Sequence, residues 1–329
     1  SDTNALARLT AWPRVSLAHL PTRLLTVPRL AEQIGCRKLY VKMDAESGFA
    51  LGGNKVRKLE FELVAERLEG VTHLITAGGP QSNHCRVTAA FAARTGLKCV
   101  LVTVGPEPES PRGNALLHRL FGAEILTVPE QDDRTPAMAL VARQIAAEGG
   151  RALVIPIGAS TGLGALGYAS AALELLQQID ALDDGADSTL LFGSTSSGGT
   201  FAGLLLGLTL AGRSDVQLIG VSAGVPASEI TSVTLALAAE GAVLLGTSLG
   251  LTPAPLHSMD SQVGSGYGIP TSASIEATDM FGRLAGIVLD PTYTSKAAAG
   301  MIEWLQRNRV EKAQRVIFLH TGGAPSLLS

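Results

Sequence analysis

The sequence predicts an α/β fold of two open parallel sheets with helices on both faces. Three observations carry this. Short apolar or alternating runs are followed repeatedly by stretches of helical periodicity, the pattern of parallel strands joined by crossover helices. The 329 residues are 46% hydrophobic but only 4% aromatic, so Ala, Leu, Val and Gly must fill a core of helices packed on sheets. Four strand-to-helix turns, at 78–84, 158–164, 193–200 and 320–323, are rich in Gly, Ser, Thr and Asn. In open parallel sheets such turns sit at the carboxyl ends of strands, where ligands bind.

In chain order, residues 1–35 are rich in Pro and Leu and end in an apolar helical pattern near 30–34. Lys38-Leu39-Tyr40-Val41-Lys42 alternates and predicts a strand. A helix over 55–69 follows, with Val56, Leu59, Phe61, Leu63 and Val64 spaced among charges. A strand at 73–77 is stopped by Gly78-Gly79-Pro80, and Ser82 or Asn83 caps a helix reaching about residue 94. Next come a strand at 99–104, a Pro- and Glu-rich loop at 105–112, a helix at 113–121, a strand at 123–128, a helix at 135–148 and a strand at 152–157. The second half reads as a helix at 164–178, a strand at 189–192, a helix at 200–211 and a strand at 216–221. Helices at 226–240, 272–285 and 295–307 and a strand at 316–319 complete the chain. No internal repeat or Pro/Ser-rich linker marks a boundary.

Composition narrows the partners. A net charge of −3 argues against nucleic acid or an anionic membrane surface. The long weakly charged stretch at 188–212 is interrupted by Thr195-Ser196-Ser197-Gly198-Gly199-Thr200, so it predicts strand, loop and helix, not a membrane span. Cys36, Cys85 and Cys99 are widely spaced and follow no metal-ligand pattern. They are expected as free thiols of a reducing cytoplasm. The N-terminus shows no basic segment leading into an apolar run, so no secretory leader is expected.

The chemistry centres on Leu51-Gly52-Gly53-Asn54-Lys55-Val56-Arg57-Lys58-Leu59-Glu60. It sets Lys55 beside a glycine turn at the start of a helix, where a lysine is either a solvated surface charge or an amine held for attack on a carbonyl. Two other motifs compete. Gly162-Leu163-Gly164-Ala165-Leu166-Gly167 matches a dinucleotide fingerprint, but the next strand ends in Gly193-Ser194 without the acid that the fingerprint requires. Gly158-Ala159-Ser160-Thr161-Gly162 matches a nucleophile elbow, with Asp290 and His320 following in hydrolase order. A Ser160 hydrolase is therefore the alternative from another class. His84 alone fits packing or capping as well as base chemistry. Tyr267 and Tyr293, two of only four tyrosines, stand in turn-rich loops.

Together, Leu51 to Glu60, Gln81-Ser82-Asn83-His84, Gly266-Tyr267-Gly268-Ile269-Pro270, Leu289-Asp290-Pro291-Thr292-Tyr293-Thr294 and His320-Thr321-Gly322-Gly323 resemble the D-cysteine desulfhydrase and 1-aminocyclopropane-1-carboxylate deaminase family. The resemblance runs from about residue 10 to the C-terminus. It implies a tryptophan-synthase-β-like fold (fold type II), with a large domain at 1–55 and 160–329, a small one at 56–159, and pyridoxal 5'-phosphate (PLP) between them. By motif position, Lys55 is implied as the Schiff-base lysine. Lys58 and the loop Ser196, Ser197, Gly198, Gly199 and Thr200 are implied to hold the phosphate, and Asn83 the pyridine O3'. Ser82 is implied to meet the substrate carboxylate or to act as a nucleophile or proton relay, and Tyr267 and Tyr293 to face the substrate from the other side.

Within the family, the deaminases carry Glu where Thr294 stands, Leu where Thr321 stands and Gln where His84 stands. Thr294 cannot charge the ring nitrogen, so a neutral pyridine is expected, with Thr294 and Thr321 beside it; that suits β-elimination more than cyclopropane opening. The resemblance thus implies a PLP lyase that removes sulfur from a small amino acid, D-cysteine giving pyruvate, ammonia and hydrogen sulfide. L-cysteate sulfo-lyase and the deaminase are the alternatives. A homodimer is expected. Met43-Asp44-Ala45-Glu46-Ser47 departs from the Arg-Asp-Asp usual at that position, and the segment between Ser222 and Leu256 matches no family pattern.

Overall fold

The computed structural model describes residues 1–250, 254–308 and 314–329, so three residues of the segment between Ser222 and Leu256 lie outside it. Ten strands are seen: β1 (Leu24–Thr26), β2 (Leu39–Lys42), β3 (His73–Gly78), β4 (Lys98–Val104), β5 (Glu124–Val128), β6 (Ala152–Val154), β7 (Ser188–Thr195), β8 (Val216–Ser222), β9 (Leu256–Met259) and β10 (Gln314–Leu319). They form two sheets, one ordered β1-β2-β10-β7-β8-β9 and the other β5-β4-β3-β6. All described pairings are parallel except β1 with β2. Both sheets are parallel as expected, the larger one carrying the short antiparallel strand β1 at one edge.

The central strands of the larger sheet are apolar through their middle residues, as burial on both faces requires. Leu190, Leu191 and Phe192 of β7 and Val316, Ile317 and Phe318 of β10 are buried and lie in register. The long helix Gly162–Asp180 packs against the helix Gly199–Ala211. A Cβ on Gly203 would stand 2.2 Å from the Ala165 carbonyl oxygen, so glycine sets that close approach.

Several elements differ from expectation. The helix at 55–69 is broken into Asn54–Glu62 and Ala65–Leu68; Val64 takes an extended conformation, and Arg67 reaches back to the Glu62 carbonyl at 2.9 Å. The strand at 152–157 stops at Val154, because Pro156 has no N–H for the ladder. The N-terminal segment contains an unpredicted helix, Thr3–Ala11, capped by Asp2 and buried through Ala5 and Leu9. The strands β1 and β9, of three and four residues, were too short to show a period. Cys36, Cys85 and Cys99 are free and buried.

Candidate active site

The Lys55 turn is strongly constrained. Ala50 and Leu51 hold φ of +50° and +66°, and Gly52 and Gly53 follow at +68° and +105°. A Cβ on Gly52 would stand 2.1 Å from the Ala45 carbonyl oxygen, so nothing larger fits. The helix then begins at Asn54, placing Lys55 in its first turn and Lys58 one turn on. The Asn54 N–H donates to the Thr321 carbonyl at 2.9 Å, joining this turn to the loop after β10. Arg86 is fully buried and donates to the carbonyls of Ala50 (2.8 Å) and Gly52 (2.7 Å) and to Oδ1 of Asn83 (2.7 Å) and Asn114 (2.8 Å). Sequence reasoning missed Arg86, three of whose four acceptors lie far along the chain.

Beside this turn Lys58 meets a group of hydroxyls. Lys58 Nζ donates to Ser160 Oγ at 3.0 Å, and Ser160 Oγ donates to Ser197 Oγ at 2.6 Å. Among the described residues Ser160 is the only hydrogen-bond partner of Lys58. Burial, and then the charge of Lys55, hold the Lys58 amine well below the usual lysine range. After β7, Ser196 and Ser197 turn through Gly198 (φ +78°) into the helix Gly199–Ala211. A Cβ on Gly199 would stand 2.6 Å from Lys58 Nζ and 2.8 Å from Ser160 Oγ. Ser194 Oγ and Thr195 Oγ1 are buried with no partner among the described residues. Thr200 Oγ1 accepts from Asn54 Nδ2 at 2.9 Å. A helix N-terminus, an uncompensated buried lysine and spare hydroxyls fit a phosphate dianion. Lys55 is half-buried, and burial brings its amine down to about 8.

The helix Asn83–Thr95 supplies one wall. Ser82 caps it, its Oγ accepting the Cys85 N–H at 3.2 Å. Asn83 Oδ1 also accepts from Asn114 Nδ2 at 2.8 Å, and with Arg86 on the same oxygen its Nδ2 has no hydrogen-bond partner among the described residues. Thr76 Oγ1 donates to the Ile155 carbonyl at 2.7 Å, so it must accept from His84 Nε2, also 2.7 Å away. That leaves His84 Nδ1 buried without a partner among the described residues. Burial, and then the charges of Lys55 and Lys58, hold this imidazole well below its usual range; His84 is neutral.

Tyr267 and Tyr293 form an aromatic pair. The hydroxyls of Tyr267 and Tyr293 are hydrogen-bonded, with ring centroids 5.8 Å apart and planes at 67°. Burial raises both phenols above their usual range, Tyr293 further. Asp290 organises the turn beneath them. Its Oδ2 accepts the N–H groups of Thr292 (3.0 Å) and Tyr293 (2.9 Å), and its Oδ1 accepts the N–H (2.8 Å) and hydroxyl (2.7 Å) of Thr294. The Thr294 hydroxyl is thus committed to Asp290. Thr321 is buried and reaches the Lys55 turn through its carbonyl.

The competing motifs resolve differently. Ser160 is bonded to Lys58 and Ser197, His320 Nε2 donates to the Val288 carbonyl at 2.9 Å, and Asp290 is spent on Thr292, Tyr293 and Thr294. No Ser-Asp-His relay is assembled, which corrects the hydrolase alternative. In the dinucleotide-like run, a Cβ on Gly164 would stand 2.1 Å from the Ala159 carbonyl oxygen and one on Gly167 2.2 Å from that of Arg57. Those glycines serve close packing.

Comparison with known proteins agrees with this geometry. A family model described as pyridoxal-phosphate dependent enzyme matches residues 15–322. D-cysteine desulfhydrases of Salmonella typhi and Salmonella newport (strain SL254) are each 41% identical over 330 residues, 98% of this chain and 98% of theirs. The solved structure of an ACC deaminase homologue superposes with a TM-score of 0.88 at 31% identity, over 100% of this chain and 97% of that one. A pyridoxal 5'-phosphate-dependent aspartate racemase, at 18% identity and a TM-score of 0.66, shares the fold. A family model matching most of the chain and relatives aligned almost end to end lead to one conclusion: the chain belongs to the pyridoxal-phosphate dependent enzyme family, and its cofactor is pyridoxal 5'-phosphate.

Proposed function

We propose that this enzyme is a lyase that eliminates sulfur from the β-carbon of D-cysteine, giving pyruvate, ammonia and hydrogen sulfide with uptake of one water. The observation that carries the substrate is the 41% identity to D-cysteine desulfhydrases over 98% of both chains. Bound here, PLP supplies an aldehyde for the Lys55 amine and a π-system that accepts the electrons of the broken Cα–H bond.

In this reading Lys58, Ser196, Ser197, Gly198, Gly199 and Thr200 hold the phosphate, with Ser160 orienting Lys58. Asn83 donates Nδ2 to the pyridine O3'. Thr294 and Thr321 border the ring nitrogen without a charge to give it. Lys55, with an amine at about 8, takes the α-proton, the task of a base poised near the working pH. Ser82 meets the substrate carboxylate. Tyr267 and Tyr293, joined through their hydroxyls, face the substrate from the other side and pass a proton to the departing sulfur.

The boundaries at 1–55, 56–159 and 160–329 gain support from the sheets: β3 to β6 fall in the middle segment and the remaining strands outside it. A cytoplasmic setting is supported by three free buried thiols. A homodimer is supported by the helix Ala227–Leu244, whose outer residues Val233, Leu235, Val243 and Leu244 are exposed.

The test is product analysis on D-cysteine, L-cysteine, L-cysteate and 1-aminocyclopropane-1-carboxylate. Sulfide and pyruvate in equal amounts from D-cysteine are expected. The likeness to an ACC deaminase homologue keeps a second reading in view, and 2-oxobutyrate from the cyclopropane substrate as the main product would establish it instead. Sulfite from L-cysteate as the main product would move the leaving group.

A further inference from the structure

Lys296 lies three residues after Tyr293 in the helix Thr294–Arg307 and has no exposed surface. Its ammonium has three donors and meets three backbone carbonyls, those of Val263 and Gly266 at 2.8 Å each and of Ala223 at 3.3 Å. No carboxylate is among its hydrogen-bond partners in the described residues. Burying an ammonium among neutral acceptors is costly, so the acceptors themselves must gain from it.

Those acceptors belong to the segment that carries Tyr267. Val263 and Gly266 open two successive turns, closed by the N–H groups of Gly266 (3.2 Å) and Ile269 (3.3 Å). Gly264, Gly266 and Gly268 hold φ of +62°, +143° and +76°, so the segment has unusual freedom to lose on folding. Its ends are fastened, Ser261 and Gln262 donating to Glu303 Oε2 at 2.6 and 2.8 Å and Thr271 to Gln262 Oε1 at 3.2 Å. Apart from the local bond of the Val263 N–H to the Asp260 carbonyl at 3.1 Å, Lys296 makes the only hydrogen bonds, among the described residues, between the rest of the protein and the backbone of 263–270. The third carbonyl, Ala223, precedes Gly224, where a Cβ would stand 2.9 Å from Tyr267 Cβ.

The geometry points to Lys296 as a positioning residue. Its ammonium clamps the two glycine turns so that the Tyr267 hydroxyl meets Tyr293, whose helix also bears the clamp. The consequence for turnover rests on the proposal that these tyrosines face the substrate; the clamp itself does not.

The test uses the holoenzyme with Lys296→Ala, Lys296→Met and Tyr267→Phe. It reads the rate of limited proteolysis within 263–270, cofactor absorbance, kcat and KM. Both Lys296 variants are expected to keep cofactor absorbance and to be cut within 263–270 about tenfold faster, as a locally opened segment would be. Their kcat/KM for D-cysteine should fall about 100-fold, the scale of a misplaced site group. Ammonium or methylammonium should restore protection and turnover to Lys296→Ala but not to Lys296→Met, whose side chain fills the space. Wild-type cleavage in Lys296→Ala would overturn the clamp. So would cleavage spread along the whole chain with cofactor lost and no amine rescue, since that marks general unfolding. Wild-type turnover in Tyr267→Phe would instead sink the substrate-facing role of Tyr267 and leave the proteolysis result standing.

Discussion

Lys55 owes its chemistry to burial. With its amine at about 8 in place of 10.5, roughly one-tenth is unprotonated at pH 7, against less than about a thousandth for an ordinary lysine. Capture of PLP by the apoprotein, trapped with borohydride, should therefore rise with pH up to about 8 and level off above it. A rise that continued to pH 10 would contradict the desolvated lysine. Ser160 tests the cradle. Ser160→Ala should weaken PLP binding about tenfold, the worth of one hydrogen bond to a charged group, with kcat at saturating PLP nearly unchanged; absorbance titration measures it. A hydrolase would instead lose all turnover. These residues differ in how plainly the sequence shows them. Lys55, Ser82 and Asn83 stand in contiguous strings that carry their own turn and cap signals. The string around Ser160 pointed to an elbow because its true partner, Lys58, lies 102 residues earlier, beyond any local pattern. Lys296 was missed because it acts on backbone carbonyls that carry no side-chain signature, and Arg86 because two of its four acceptors are such carbonyls and a third, Asn114, is remote.

The elements around the site are fastened by one buried ion cluster. Arg57 of the Lys55 helix binds Asp44 through Nε–Oδ2 and Nη2–Oδ1, each at 2.9 Å, and Asp44 also accepts from Thr22 at 2.7 Å and Tyr168 at 2.5 Å. The cluster thereby ties three elements together: the turn after β2, the Lys55 helix and the long helix Gly162–Asp180. Asp44→Asn removes one charge from this buried set and should cost about 3–5 kcal/mol, seen as a lower unfolding midpoint in denaturant; a change below about 1 kcal/mol would show that the cluster is dispensable. Element type was readable wherever a strand was long and apolar, as in β4, β7, β8 and β10, or a helix ran several turns. It failed where the period had no room, in β1 and β9, and where a break such as Val64 depends on the surrounding packing. The Arg-Asp-Asp departure at 43–47 gave no hint that Asp44 anchors the cluster, because its three partners, Thr22, Arg57 and Tyr168, come from three other segments.

At the scale of the molecule, the larger sheet delivers the turns after β2, β7, β8 and β10 to one side, and β3 and β6 bring Ser82 and Ser160 to meet them. That convergence was legible as polar turns following apolar strands, but the pairing order of the strands was not, since order depends on contacts far apart in sequence. The same scale sets the assembly. The helix Ala227–Leu244 buries one stripe through Ile230, Leu237 and Ala238 and leaves Val243 71% exposed. By length and composition it is the one described helix apolar enough to cross a membrane, yet it packs on the helices Gly162–Asp180 and Gly199–Ala211. A second copy covering its outer face predicts a dimer at micromolar concentration, and Val243→Asp should shift sedimentation to the monomer. A wild-type protein that sediments as a monomer would remove that role for the helix.

The most direct measurement of the central claim is the absorbance spectrum of the purified protein before and after borohydride, followed by peptide mass analysis, with Lys55→Ala alongside. A yellow protein whose reduced pyridoxyl group maps to Lys55, and a variant with neither the covalent group nor sulfide release from D-cysteine, is the expected result. A pyridoxyl group on another lysine, or wild-type sulfide release from Lys55→Ala, would contradict the account.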